Sequence, residues 1–113
     1  GLNRLALAEG LAFAERMGLD ATSFLDVAKG SACYSQVMDI KGSKMTRRDY
    51  AAEGRVKQHL KDVQLMLELG ERLGQELPTL NIHRDVLEAC VRAGEAEHDN
   101  SIIVEEIRRR RRP

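Results

Sequence analysis

The chain reads as a succession of helical stretches in which apolar positions recur every three to four residues, with no run of period-two alternation that would announce a strand. Leu2 to Met17 forms the first such stretch and stops at Gly18, a natural left-handed C-cap. A short helix over Ala21 to Lys29 follows, with Asp20 or Thr22 to cap it and Gly30 to close it. Ser31 to Ile40 predicts a third helix ending near Gly42. Lys41 to Arg55, polar and with two glycines, reads as a mobile surface connection at which a lid or a cleft edge could sit. Val56 to Leu73 is the longest periodic stretch, ended by Gly74 and, a few residues on, by Pro78. Thr79 to Arg92 and Ser101 to Arg110 give two more helices, the last preceded by the capping residues Asp99 and Asn100. The expectation is an all-α domain of about six helices around a long central one.

On a helical wheel, Val56, Leu60, Val63, Leu67, Gly70 and Gly74 form one stripe of the longest helix, and Leu65, Met66, Leu69 and Leu73 form a second, roughly opposite. A helix apolar on both sides is expected to be wrapped by neighbours. Gly70, which costs roughly 1 kcal/mol against alanine inside a helix, predicts a close approach by another helix. The small-residue line Ala6, Gly10 and Ala14 offers the match, so the first helix is expected to pair with it. Asp62 projects inside the second apolar stripe, where a buried carboxylate would need a partner. Lys61 sits at the edge of the polar strip of Lys57, Gln64, Glu68 and Arg72. By itself this pair reads as a solvated lysine and a carboxylate balancing the positive end of the helix dipole.

Composition narrows the function classes. Eighteen basic and eighteen acidic residues in 113 cancel, which disfavours nucleic acid and anionic membranes as partners. Without a leader or an apolar run near the ~20 residues of a membrane span, a cytoplasmic setting is expected. Cys33 and Cys90 read as small buried hydrophobes, with no CxxC spacing. His59, His83 and His98 fall on separate segments without a second ligand at helical spacing, so no metal site is expected. Tyr34 reads as a packed tyrosine with its hydroxyl at the surface. The arginine run Arg108 to Arg112 could grip phosphates, but without aromatic residues to stack on bases it reads as a solvated, disordered tail over residues 108–113.

Several short motifs, in order, carry a resemblance. Ala8-Glu9-Gly10-Leu11-Ala12 leading to Arg16-Met17-Gly18-Leu19-Asp20, then His59-Leu60-Lys61-Asp62-Val63 with Leu65, then Gly74 to Leu77-Pro78, then Gly94, Asp99 and Ser101, are together similar to the β-hydroxyacid dehydrogenases, the superfamily of 3-hydroxyisobutyrate and 6-phosphogluconate dehydrogenases. The resemblance spans nearly the whole chain apart from the arginine tail. It implies the helical C-terminal domain of such an enzyme, residues 1–107, forming a substrate-cleft wall and the dimerisation surface. It also implies an N-terminal Rossmann domain that holds NAD or NADP through a glycine-rich turn, and no G-x-G-x-x-G occurs here. The family's catalytic lysine and a substrate-binding asparagine belong upstream of Gly1, and Asn3 is out of register for the latter. Lys61 matches the family's lysine that faces the cofactor and Asp62 the carboxylate beside it. These are the candidate cofactor-binding residues, and neither is a general acid or base. Two positions depart from the pattern: Gly54 stands where many members carry phenylalanine, and Ser101-Ile102 replaces serine-alanine.

The resemblance implies NAD(P)-dependent oxidation of a small β-hydroxyacid, or reduction of its semialdehyde or keto acid, of the 3-hydroxyisobutyrate or tartronate semialdehyde/glyoxylate reductase kind. This chain alone is expected to be inactive, to bind no cofactor by itself, and to form a homodimer. Two other readings stay open: a non-catalytic helical module that binds a protein partner, and a nucleic-acid binder working through the arginine tail.

Overall fold

The computed structural model describes all 113 residues, Gly1 to Pro113. Six α-helices are joined by short links: α1 (Leu2–Arg16), α2 (Ala21–Lys29), α3 (Gln36–Arg47), α4 (Val56–Leu73), α5 (Pro78–Arg92) and α6 (Ile103–Arg109), the last preceded by a 3₁₀ turn over Asn100–Ile102. The only β-type contact is an isolated antiparallel bridge between Arg55 and Asp99. The all-helical class is therefore as expected.

Several boundaries follow directly from local chemistry. The Asp20 carboxylate accepts the Ser23 N–H at 2.9 Å and caps α2. Pro78 occupies the first turn of α5, where its missing N–H leaves no bond unmade. Gly74 takes φ +70° after α4, a conformation that a side chain resists.

The third helix differs from the expectation. It starts at Gln36 rather than Ser31 and runs through Gly42 to Arg47. Gly42 is a packing glycine, not a terminator: a β-carbon there would stand 2.7 Å from Leu25 Cδ2, so its absence lets α3 lie close against α2. The helix stops instead at Arg48, which adopts φ 54° without being glycine. That strain, roughly 1–2 kcal/mol, is offset only in part by the Arg48 guanidinium, which donates to Glu105 at 2.6 and 2.8 Å from an exposed position.

At the centre lies α1, which packs against α2, α3, α5 and α6. Its Leu5, Leu7, Ala8 and Leu11 join Leu25, Met45, Val63, Leu87, Ile103 and Val104 in one core. The expected pairing of α1 with the Val56–Leu73 helix does not occur along their lengths; α4 packs on α5 instead. Gly70 serves that turn, because a β-carbon there would meet the Gln75 carbonyl oxygen at 2.9 Å and Leu77 Cδ1 at 3.0 Å as the chain doubles back. Nor is α4 wrapped. Its first stripe, from Val56 to Gly70, is buried or half-buried, whereas Leu65, Met66, Leu69 and Leu73 remain 46–72% exposed. Of the two cysteines, Cys90 is buried as expected and Cys33 is exposed.

Candidate functional site

The first half of α4 carries the two residues singled out by the sequence. Its start is fixed by backbone, not by a side-chain cap: Val56 N–H donates to the His98 carbonyl and Lys57 N–H to that of Ala96, both at 3.0 Å. One turn on, Lys61 and Asp62 are both exposed. Adjacent residues diverge by about 100° on a helix, so Lys61 points toward the polar strip while Asp62 lines up with Leu69 and Leu73. Neither makes an ion pair within the chain. The expectation of a buried Asp62 fails because the stripe around it is uncovered, leaving water to solvate the carboxylate. The two main grooves lie elsewhere, one between the second half of α4 and α5, lined by Glu68, Glu71 and Arg84, the other between α1 and α6, lined by Ala6, Phe13 and Ile107. Lys61 and Asp62 thus stand on an open helix face, and any cleft there needs a second wall.

Below this face the connection expected to be mobile is held by a buried carboxylate. Asp99, 0% exposed, accepts from Lys41 Nζ at 2.9 and 3.1 Å, from the backbone N–H of Glu53 and Gly54 at 3.0 and 3.1 Å, and from the Ser101 N–H and hydroxyl at 3.0 and 2.5 Å. Burial pushes its pKa up, but these donors outweigh burial and hold it well below the usual carboxylate range. Lys44 Nζ adds a bond to the Ala51 carbonyl at 2.9 Å, and Asn100 N–H one to Gly54 at 2.7 Å. Asp99 does cap the turn before α6, as expected, and it also pins residues 53–54 against α4. Gly54 belongs to this arrangement: a β-carbon there would come within 3.1 Å of Asn100 Nδ2, so a phenylalanine at this position would require Asn100 to move.

A second polar cluster lies where α1, α4 and α5 meet. His59 and His83, expected on separate segments, meet with ring centroids 5.0 Å apart and planes tilted by 55°. His83 is fully buried with both ring nitrogens unpartnered, and His59 Nε2, Arg4 Nε and Arg4 Nη1 are likewise buried without a partner. Burial, followed by repulsion from Arg4 and, for His83, from His59, pushes both imidazoles down to about 4. Sequence reasoning missed Arg4, Lys41 and this pairing, since contacts across 58 residues or between helices leave no periodic signal.

The arginine run is tied to the fold. Arg108 is 7% exposed and bridges Glu15, at 2.5 and 2.9 Å, and Glu105 at 2.8 Å. Arg109 pairs with Glu95 and Glu106, Arg110 with Glu106, and Arg111 with Glu15. A solvated tail was expected there; in the structure its first four arginines close ion pairs with acids of α1, α6 and the α5–α6 link. Tyr34 is 47% exposed, and its hydroxyl donates to Asp39.

Residues that could meet a dinucleotide are few. Lys61 is an unpaired ammonium on a rigid helix and fits one phosphate, ribose or amide contact; the chain supplies no glycine-rich turn to cradle a pyrophosphate. No helix is long and apolar enough to cross a membrane.

Comparison with known proteins gives this geometry its setting. Residues 1–107 match the family described as NAD-binding of NADP-dependent 3-hydroxyisobutyrate dehydrogenase. The chain is 32% identical over 109 residues to a probable 3-hydroxyisobutyrate dehydrogenase-like protein of Arabidopsis thaliana, covering 96% of this chain and 35% of that one. It is 26% identical over 104 residues to the 2-hydroxy-3-oxopropionate reductase of Escherichia coli, covering 92% and 36%, and 28% identical over 103 residues to the Drosophila melanogaster cytokine-like nuclear factor N-PAC, covering 91% and 17%. In fold it superimposes on a Salmonella typhimurium 3-hydroxyisobutyrate dehydrogenase with a TM-score of 0.90 at 24% identity, covering 94% of this chain and 37% of that one. The chain thus spans about a third of its dehydrogenase relatives' length and about a sixth of the nuclear factor's. On the match over residues 1–107, the chain belongs to the 3-hydroxyisobutyrate dehydrogenase family, as its all-helical C-terminal-type domain.

Proposed function

We propose that this domain forms the helical wall of an NAD(P)-dependent oxidoreductase acting on a small β-hydroxyacid of the 3-hydroxyisobutyrate or 2-hydroxy-3-oxopropionate kind, and that it pairs with a second copy of itself. The observation that carries this reading is the continuous family match over residues 1–107, with two dehydrogenase or reductase relatives among the similar proteins. The cofactor, when bound, supplies the hydride acceptor or donor. Lys61 presents its ammonium to the cofactor's anionic or amide groups, an electrostatic contact strengthened when a second wall excludes water. Asp62, beside it in sequence, projects into line with Leu69; within this reading it acts on Lys61 only through the shared helix turn. The Asp99 cluster positions the start of α4, and with it the height at which Lys61 stands. The test joins residues 1–113 to a dinucleotide-binding domain in one protein and assays β-hydroxyacids with both cofactors. Turnover of at least one substrate is expected, and inactivity toward the whole panel would overturn the reading.

The nuclear-factor relatives favour a second reading, a helical interaction module on the same scaffold. It predicts no turnover in that assay and a protein partner recovered on the exposed helix faces.

A further inference from the structure

The buried cations Lys41, Lys44 and Arg108 all have acceptors: Asp99 for the first, the Ala51 carbonyl for the second, Glu15 and Glu105 for the third. Where α1, α4 and α5 meet, by contrast, Arg4 Nε and Nη1, His59 Nε2 and both nitrogens of the fully buried His83 have no partner. Arg4 makes no ion pair. The acid whose charge reaches it is Asp99, and that carboxylate is already taken up by Lys41, Ser101 and the backbone of Glu53 and Gly54. A buried donor without an acceptor is costly, so an acceptor brought in from outside is stabilising there.

The chemistry of these groups says which ligand fits. Two imidazoles 5.0 Å apart make half of a metal site, but no third ligand joins them and the Arg4 guanidinium beside them repels a cation. An oxyanion suits the same groups. It accepts from Arg4 Nε and Nη1 and from one N–H of each neutral imidazole, and protonation of either ring adds a donor and a positive charge. The Gly1 amine adds to this field, its own pKa lowered by burial and by Arg4. The ring edges of both histidines face the side of Gly1, where a β-carbon would stand 2.8 Å from His59 Nε2 and 2.9 Å from His83 Cε1. Gly1 precedes α1 and is exposed, and Arg4 and His59 are half-buried, so the cluster lies close beneath the surface. Entry needs Gly1 to swing aside, which gives up the bond from Leu5 N–H to its carbonyl. His59 and Lys61 stand about 200° apart around α4, so this place is not the cofactor-facing one.

We propose that Arg4, His59 and His83 form a binding site for one small oxyanion, a phosphate-type group or a carboxylate, seated between the first turn of α1 and the imidazoles of α4 and α5. The site stands apart from the cofactor reading and is tested without turnover. The isotope-labelled chain is titrated with sodium sulfate against sodium chloride at equal ionic strength, and the imidazole signals are followed by NMR. Sulfate is expected to shift the His59 and His83 signals along one saturable curve and to leave those of His98, exposed outside the cluster, unmoved. Free of anion, both rings have pKa values of about 4, and a bound anion favours their protonated forms. Sulfate is therefore expected to bind at least about tenfold more tightly near pH 5 than near pH 7.5, and since its own charge is constant over that range the change belongs to the protein. Arg4→Gln, with its helix content checked by circular dichroism, is expected to weaken binding at least about tenfold, whereas Arg16→Gln, at the exposed far end of α1, changes it less than about twofold. The chain acetylated at Gly1 keeps the response, because side chains build the site. A parallel acetate series separates the two sources: tighter sulfate assigns the site to a phosphate-type group, tighter acetate to a carboxylate. Absence of a saturable shift of His59 and His83 with either anion would overturn the proposal, as would a response that Arg4→Gln leaves intact or that acetylation abolishes.

Discussion

The domain buries two polar clusters, and they are opposites. Around Asp99 every oxygen has its donors: an ammonium, three backbone N–H groups and a hydroxyl converge on one carboxylate. Around His83 the cluster is cationic and open-ended, with two imidazoles and a guanidinium gathered where α1, α4 and α5 meet and five of their nitrogens unpartnered. A satisfied buried network fixes one arrangement of the chain, whereas an unsatisfied one stores a liability that protons can reach. The difference teaches where this fold is rigid and where it is conditional. The link from Arg48 to Arg55, the start of α4 and the turn into α6 are locked together, while the first turn of α1 rests on two imidazoles held neutral beside the Arg4 guanidinium.

The largest effect expected from breaking this comparison is at Asp99. Replacing it with alanine leaves Lys41 buried beside three backbone donors that have lost their acceptor, so Asp99→Ala should destabilise by about 3–5 kcal/mol in urea unfolding, with the m-value unchanged. A loss below about 1 kcal/mol would mean the network is peripheral. Next in size is Arg108→Ala, which removes the buried guanidinium that bridges Glu15 and Glu105 and leaves each with only its more exposed arginine, Arg111 or Arg48; it should cost about 2 kcal/mol by the same measurement, and a solvated tail would give no change.

The acid limb of stability sharpens the other side. His59 and His83 have folded-state pKa values of about 4 against an ordinary 6.5. Between those values the unfolded chain binds more protons than the folded one, so the stability contribution is full above pH 6.5 and is lost progressively as pH falls toward 4. Because His59 is only half-buried, at the outer edge of the cluster, solvent screens part of the repulsion, and the loss should be about 2 kcal/mol in all. His83→Leu, apolar and close in volume, should flatten this acid slope while leaving neutral-pH stability within about 1 kcal/mol. An unchanged slope would show that the two rings are not the groups that titrate.

Much of the fold could be read from periodicity because most of its helices end on local signals. Asp20 and Gly30 bound α2, and Gly74 and Pro78 separate α4 from α5, each by a preference that acts within a few residues. Gly42 misled because a glycine demanded by packing looks the same in sequence as one demanded by a turn; only Leu25, on another helix, tells them apart. The pairing of helices was not legible either, since small residues on α1 and Gly70 on α4 matched in pattern but not in place. Of the candidate site, Lys61 and Asp62 are nominated by an ordered set of motifs and stay a proposal, whereas Asp99 was legible through its capping position. Lys41 and the His59–His83 contact could not, because their partners are distant in sequence and the bonds leave no trace in spacing.

The reading of this domain as a cofactor-facing wall comes down to Lys61, which is exposed and makes no ion pair within the chain. In the two-domain protein, Lys61→Ala should raise KM for NAD(P) about tenfold, the worth of one charge-assisted contact, while kcat stays within about threefold and urea stability within about 0.5 kcal/mol. An unchanged KM for both cofactors in an otherwise active enzyme would contradict the account, placing Lys61 on an ordinary solvent surface.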